Sequence, residues 1–236
     1  MIKILIKKKK KLKEIEVPSD IKKDQYKDFV LDWKNLGKIL IKYSNNFSKN
    51  GINVMGAKRL GSGSFGVAYL LNDGKVLKLT KDTEEAIISN FLINKSIQHF
   101  VKIFGVFKLP ITDTGEQIYA ILQEKLMPVS KQDGSLLEKN IKVLKQVIGG
   151  SDPFIFTNKK WEEIKSLKQV QNKPDVLNYL EEIGFNNICN DLNKSGIKFV
   201  DFHSGNFMRR SDGTLVLIDI GADATNFGSE SNIKQI

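Results

Sequence analysis

The 236-residue chain has one cysteine, Cys189, and two histidines, His99 and His203. A single thiol builds no disulfide framework, so a reducing compartment fits, and Cys189 in a helical segment reads as a small buried hydrophobe. No apolar run approaches the roughly 20 residues that a membrane-spanning helix needs. The opening MIKILIKKKKK sets its charges after a very short apolar segment, the reverse of a secretory signal. The chain is therefore expected in the cytoplasm where it is made, or in the virion or host cytoplasm were it viral. RNA-recognition aromatic patterning, zinc-finger spacing and internal repeats are all missing. What remains, 41% hydrophobic and 27% charged residues, is the balance of a globular chain able to bury a core. The formal net charge is +10, and residues 1 to 27 hold ten lysines against four acids. The block Lys7 to Lys11 can attract an acidic partner, nucleic acid or an anionic membrane face. A solvated basic arm, or lysine enrichment from AT-rich coding, explains it equally simply.

Residues 1 to 50 read as a basic extension: a short strand at Met1 to Ile6, a turn at Val17-Pro18-Ser19-Asp20, and a helix over about 21 to 47. Phe29, Trp33, Leu36, Leu40, Tyr43 and Phe47 recur three or four apart and form its apolar stripe. From 51 to 126 the pattern predicts strands at 53–60, 66–71 and 75–80, a helix at 83–97, and strands near 101–107 and 117–123. From 127 to 221 it predicts helices at 135–147, 158–170 and 174–194, and two short strands, the second at 214–218. Residues 222 to 236 read as a polar, loosely ordered tail. The fold class expected is α+β.

Three stretches carry chemistry. Leu60 to Thr80 reads LGSGSFGVAYLLNDGKVLKLT, in which Gly61, Gly63 and Gly66 fit G-x-G-x-x-G. That pattern alone has many accidental matches. Here a strand follows Gly66, turns at Asn72-Asp73-Gly74 and returns as another strand, whereas a dinucleotide-binding unit would enter a helix. A loop of Gly61, Ser62, Gly63, Ser64, Phe65 and Gly66 between strands can bring its backbone against phosphate oxygens where a Cβ would obstruct. A hairpin without a ligand is the plainer reading. Lys78 sits in the apolar strand Val76-Leu77-Lys78-Leu79, where an unpaired ammonium is costly, so it needs an anion. Glu84, with apolar residues three and four positions on, is the expected helix partner, and Glu85 the alternative. Finally, FVDFHSGNFM (Phe199 to Met208) sets Asp201, His203 and Asn206 close together. Taken alone, it is a catalytic loop, a metal site or a polar turn.

In order, these features resemble the protein-kinase-like superfamily. Its glycine loop, strand lysine, helix glutamate, hinge, catalytic-loop aspartate and asparagine, and metal-binding D-F-G match Gly61/Gly63/Gly66, Lys78, Glu84, Tyr119–Leu126, Asp201, Asn206 and Ile218-Asp219-Ile220-Gly221. Asp201 to Asn206 has the separation of H-R-D-L-x-x-x-N, and Asp219 follows 18 residues after Asp201. The resemblance covers residues 52 to 221. It implies a bilobal fold with a small β-rich N-lobe, a reduced helical C-lobe and an N-terminal helical extension. It also implies ATP and Mg²⁺ as cofactors, with Asn206 and Asp219 as metal ligands and Lys78 orienting the phosphates. Asp201 would be the general base with His203 beside it, and main-chain groups of Glu124 and Leu126 would read the adenine. Ala68 and Val76 stand where the family roofs the base with valine and alanine, an exchange that conserves volume.

The departures concern the acceptor. Phe199 and Val200 replace the family's His-Arg, so regulation by loop phosphorylation is not expected. D-x-H-x-x-N and Ile220 are similar to small-molecule kinases of the aminoglycoside and choline type. Only 15 residues follow Gly221, too few for a full activation segment. The leading expectation is transfer of the γ-phosphate of ATP to a hydroxyl, as in Ser/Thr protein kinases, with a small-molecule kinase as one alternative. Another is a nucleotide-binding scaffold, viral or regulatory, with little turnover. A metal hydrolase built on Asp201, His203 and Asp219 is the remote one, because the only other histidine, His99, ends a predicted helix and reads as structural.

Overall fold

A computed structural model describes residues 2–8, 11–17, 38–63, 66–111, 115–148, 156, 159–199, 201–221 and 224–236. The chain divides into two compact units, Met1–Val54 and Met55–Ile236. In the first, β1 (Ile2–Lys8) and β2 (Lys11–Val17) form an antiparallel hairpin with Ile2 opposite Val17 and Lys8 opposite Lys11. The lysine block thus straddles a hairpin turn, and Lys9 and Lys10 fall outside the described residues. So do 18–37, which hold Phe29, Trp33, Leu36 and most of the helix expected over 21–47. Residues 38–42 are helical, and α1 (Ser44–Lys49) follows, with Leu40, Tyr43 and Phe47 buried as the stripe requires.

The second unit is mixed α+β. A six-stranded sheet has the order β11-β6-β7-β5-β4-β3. Its members are β3 (Lys58–Ser62), β4 (Gly66–Leu70), β5 (Val76–Thr80), β6 (Ile103–Lys108), β7 (Tyr119–Gln123) and β11 (Lys234–Gln235). The 53–60 strand expected from the sequence starts only at Lys58, and a register shift between Arg59 and Gly61 bends it where the glycines begin. Helix α2 (Thr83–Leu92) crosses after β5. It stops short of residue 97, since Asn94 adopts a left-handed conformation (φ 64°) that no helix continues through.

A small sheet, β10-β9-β8, follows: β8 (Met127–Pro128), β9 (Phe207–Arg209) and β10 (Leu215–Leu217). Around it lie the helices α3 (Lys131–Ile148), α4 (Trp161–Lys165), α5 (Lys168–Gln171), α6 (Pro174–Glu182) and α7 (Phe185–Ser195). The two long helices expected at 158–170 and 174–194 are each broken. In the second, Gly184 takes φ +86°, which ends α6 and starts α7. Cys189 is fully buried on α7, where desolvation pushes its thiol pKa well up, so it is the inert hydrophobe expected. His99 Nδ1 lies 2.8 Å from Asp191 Oδ2 on α7, and the His99 carbonyl accepts from Leu217 N, a structural role.

The tail corrects an expectation. Instead of hanging loose, residues 224–236 dock on the six-stranded sheet and α2. Strand β11 adds parallel to β6, Phe227 meets Phe91 of α2 edge-on at 4.9 Å between ring centroids, and Glu230 pairs with Lys108 at 2.5 Å. The apolar residues Ala224 and Ile233 are buried within the otherwise polar segment and carry the docking. Among the described residues, no helix is long and apolar enough to cross a membrane.

Candidate functional site

The site grows from the way FVDFHSGNFM divides between core and surface. Phe199, Phe202 and Phe207 are buried, and Phe202 stacks edge-on with Phe199, Phe156 and Phe185 at 4.9, 5.3 and 5.7 Å. These rings anchor the loop and leave Asp201 and His203 exposed between them. A 3-10 turn at Ser204–Asn206 then buries Asn206, whose Nδ2 donates to the Asp201 carbonyl at 2.9 Å and to Asp201 Oδ2 at 3.3 Å. With Nδ2 engaged, the Asn206 Oδ1 lone pairs are the ones that can meet a cation.

His203 is held at Nδ1 and lies beside Asp201. Its Nδ1 accepts from Gly205 N at 3.0 Å, and its Nε2 lies 3.3 Å from Asp201 Oδ2. Among the described residues no group of three or more His, Cys, Asp and Glu side chains converges as a metal-binding cluster.

Lys78 finds two anions. On β5, in register with Ala68 of β4 and Ile121 of β7, its Nζ donates to Glu85 Oε1 at 2.6 Å and also meets Asp219 Oδ1. The glutamate is Glu85, and the expected Glu84 points to solvent. The helix cap decides this. Asp82 accepts from Glu85 N at 3.0 Å and starts α2 at Thr83, so Glu85, Ala86, Ile88, Ser89 and Leu92 share the buried face. Asp219 itself is left-handed at φ 53°, a conformation that costs an L-residue energy and is over-represented at functional sites. Its neighbour Ile218 N donates to the Asn206 carbonyl at 2.9 Å, tying the two candidate cation ligands together.

The glycines split by role. An ideal Cβ on Gly61 or Gly63 would meet nothing within 4 Å, whereas on Gly66 it would run into the Leu79 carbonyl oxygen. Gly66 is therefore a strand-packing glycine, and only Gly61 and Gly63 leave open space for a ligand. Ser64 and Phe65 lie outside the described residues, as does Val200. Glu124 also behaves differently from expectation. Its N–H already donates to the Lys102 carbonyl at 3.0 Å, and its carboxylate receives Arg210 Nη2 at 2.7 Å and Nε at 3.0 Å.

Gly61, Ser62, Gly63, Gly66, Ala68, Val76, Lys78, Glu85, Glu124, Leu126, Asp201, His203, Asn206 and Asp219 all line one cavity of about 1310 Å³. The far wall is α3, which the motifs do not mention. There Glu138 Oε2 accepts from Ser204 N and Oγ at 3.2 and 2.9 Å, and these bonds hold its pKa below the usual carboxylate value. Lys145, half-buried with its Nζ 5.1 Å from the Phe202 ring centroid, has its pKa lowered by desolvation, against which the Asp201 charge works. Its place on an α3 face that repeats every three or four residues was the signal available in the sequence. Compared with known proteins, the chain matches no family model and no curated sequence.

Proposed function

We propose that this chain is an ATP-dependent phosphotransferase of bilobal, protein-kinase-like architecture that moves the γ-phosphate of ATP to a hydroxyl. The observation that carries the reading is the double grip on Lys78: one strand lysine, held by a helix glutamate and by the left-handed Asp219, in the cavity that also contains Asp201 and Asn206. Phosphoryl transfer asks a protein for positioning and charge compensation, and this set supplies both. The donors fit the cofactors: Asn206 Oδ1 and the Asp219 carboxylate suit Mg²⁺, a hard cation that takes oxygen ligands and completes its shell with phosphates and water. Open space at Gly61 and Gly63 admits phosphates, and Ala68, Val76, the Glu124 carbonyl and the Leu126 main chain suit a base. When bound, ATP and Mg²⁺ supply the transferable group and neutralise its charge.

The chain's own residues do the rest. Lys78, fixed by Glu85, orients phosphate oxygens. Asp201 accepts the hydroxyl proton as the acceptor oxygen attacks, Asn206 Nδ2 holds its carboxylate in place, and His203 stands beside it. A nucleotide-binding scaffold with little turnover is the second reading, favoured by the direct Lys78–Asp219 contact, which occupies both groups with each other. Turnover of ATP with Mg²⁺ separates the two. Asp201→Ala and Asp219→Ala should each lower phosphate transfer or slow hydrolysis by about 100-fold, the scale of losing a general base or a metal ligand. Tight nucleotide binding with turnover indifferent to Asp201 would establish the scaffold instead.

A further inference from the structure

Helix α3 carries a basic stripe along the catalytic loop. Lys131, Ser135, Glu138, Lys142 and Lys145 recur four or three residues apart and so share one face. Three contacts fix that face on residues 202–204: an ideal Cβ on Gly134 would come 3.2 Å from Ser204 Cβ, Glu138 bonds Ser204, and Lys145 lies over Phe202. Lys131, Lys139 and Lys142 line the cavity on the side of Asp201 and His203, the side a phosphate acceptor would enter. The acid within the stripe, Glu138, is already engaged by Ser204. Among the described residues no carboxylate stands within ion-pair distance of Lys131, Lys139 or Lys142.

We propose that this stripe binds an acidic polypeptide segment and presents its serine or threonine to Asp201; the acceptor role rests on the phosphotransferase reading. Length selects a peptide over a small anion. From Lys131 to Lys142, the lysines of the stripe that line the cavity, the helix rises about 16 Å at 1.5 Å per residue, and a single phosphate or carboxylate compound reaches one end of that at most. An extended peptide spans it in about five residues. Chemistry selects a peptide over single-stranded nucleic acid, which binds by stacking bases on aromatic side chains, and this stripe offers none. Of the residues after Gly221, Phe227 packs on α2 and Lys234–Gln235 pair with β6.

The test is fluorescence anisotropy on the full chain with three probes: a labelled serine peptide flanked by glutamates, the same peptide with glutamines, and an oligothymidylate of equal charge. The acidic peptide should bind at least about tenfold tighter than the neutral one, with an affinity that falls as salt rises. Lys131→Glu/Lys142→Glu should erase that preference, and the milder Lys131→Gln/Lys142→Gln should reduce it. Equal binding of the two peptides, a preference that survives the double reversal, or tighter binding of the oligonucleotide overturns the proposal. ATP affinity on the same proteins reads the nucleotide site separately. Acidic-peptide binding through α3 without ATP binding would sink the phosphotransferase reading while leaving the peptide site standing.

Discussion

Arg210 grips both carboxylate oxygens of Glu124, Nη2 to Oε1 at 2.7 Å and Nε to Oε2 at 3.0 Å, and also donates to the carbonyls of Gln98 and Phe100. One guanidinium therefore ties β9's end to the segment after β7 and to the loop after α2. The pairing raises the Arg210 pKa, as expected of a cation held by a carboxylate. Arg210→Ala should cost about 2–3 kcal/mol in urea unfolding, the scale of lost charge-assisted hydrogen bonds. Arg210→Lys should recover little, because an ammonium cannot make the two-pronged contact. A double-mutant cycle with Glu124→Ala that shows no coupling would refute the pairing.

The helix cap makes a sharp distinction between neighbouring acids. Glu85→Ala, which removes the partner of Lys78, should lower phosphate transfer by about 100-fold through lost positioning. Glu84→Ala changes an exposed side chain and should stay within about 0.5 kcal/mol in stability and near native in activity. Equal loss from both substitutions, measured as kcat/KM and ATP affinity, would refute the assignment.

The loop glycines should separate stability from nucleotide binding. Gly66→Ala forces a Cβ into the Leu79 carbonyl and should lower the melting temperature clearly, by roughly the 1–3 kcal/mol of an overpacked site. Gly63→Ala has open space and should leave the melting temperature nearly unchanged while weakening ATP. A Gly63→Ala protein that melts early yet binds ATP normally would reverse these roles.

Docking of the tail should depend on pH at both ends. Hydrogen bonds from Lys108 and Tyr119 lower the Glu230 pKa, so its contribution is fully present above the ordinary carboxylate value near 4.3 and is lost as pH falls through the depressed folded value. Tyr119 is pushed up to about 12, chiefly by desolvation, so its contribution is full below about 10 and fades as pH rises toward 12. Protection of the amides across the β6–β11 pairing, Ile236 N among them, relative to their intrinsic exchange rates should be greatest between these limits. Phe227→Ala/Glu230→Ala should speed that exchange at neutral pH, and unchanged protection would show that the tail does not hold the sheet edge.

Much of the candidate site could be read along the chain because it is built from local pieces. The strand pattern around Lys78, the glycines before it and the Asp201–Asn206 spacing each occupy a few consecutive residues, and each reappears at the cavity. What misled was phase and engagement. The choice of Glu84 over Glu85 turned on where Asp82 starts a helix, a single hydrogen bond that apolar spacing cannot date. The roles given to Gly66 and to the Glu124 amide depended on partners far along the chain, Leu79 and Lys102.

By itself, then, the sequence determined the α+β class, the strands that carry Gly66 and Lys78, and the closeness of Asp201, His203 and Asn206, because these follow from periodicity and local spacing. Only the tertiary structure decided that Lys78 meets Asp219, that α3 sets its lysines along residues 201–206, and that residues 224–236 close over α2 and β6. Each of those is a contact between segments distant in the chain, and such contacts are chosen by which surfaces bury and which charges meet when the whole chain packs.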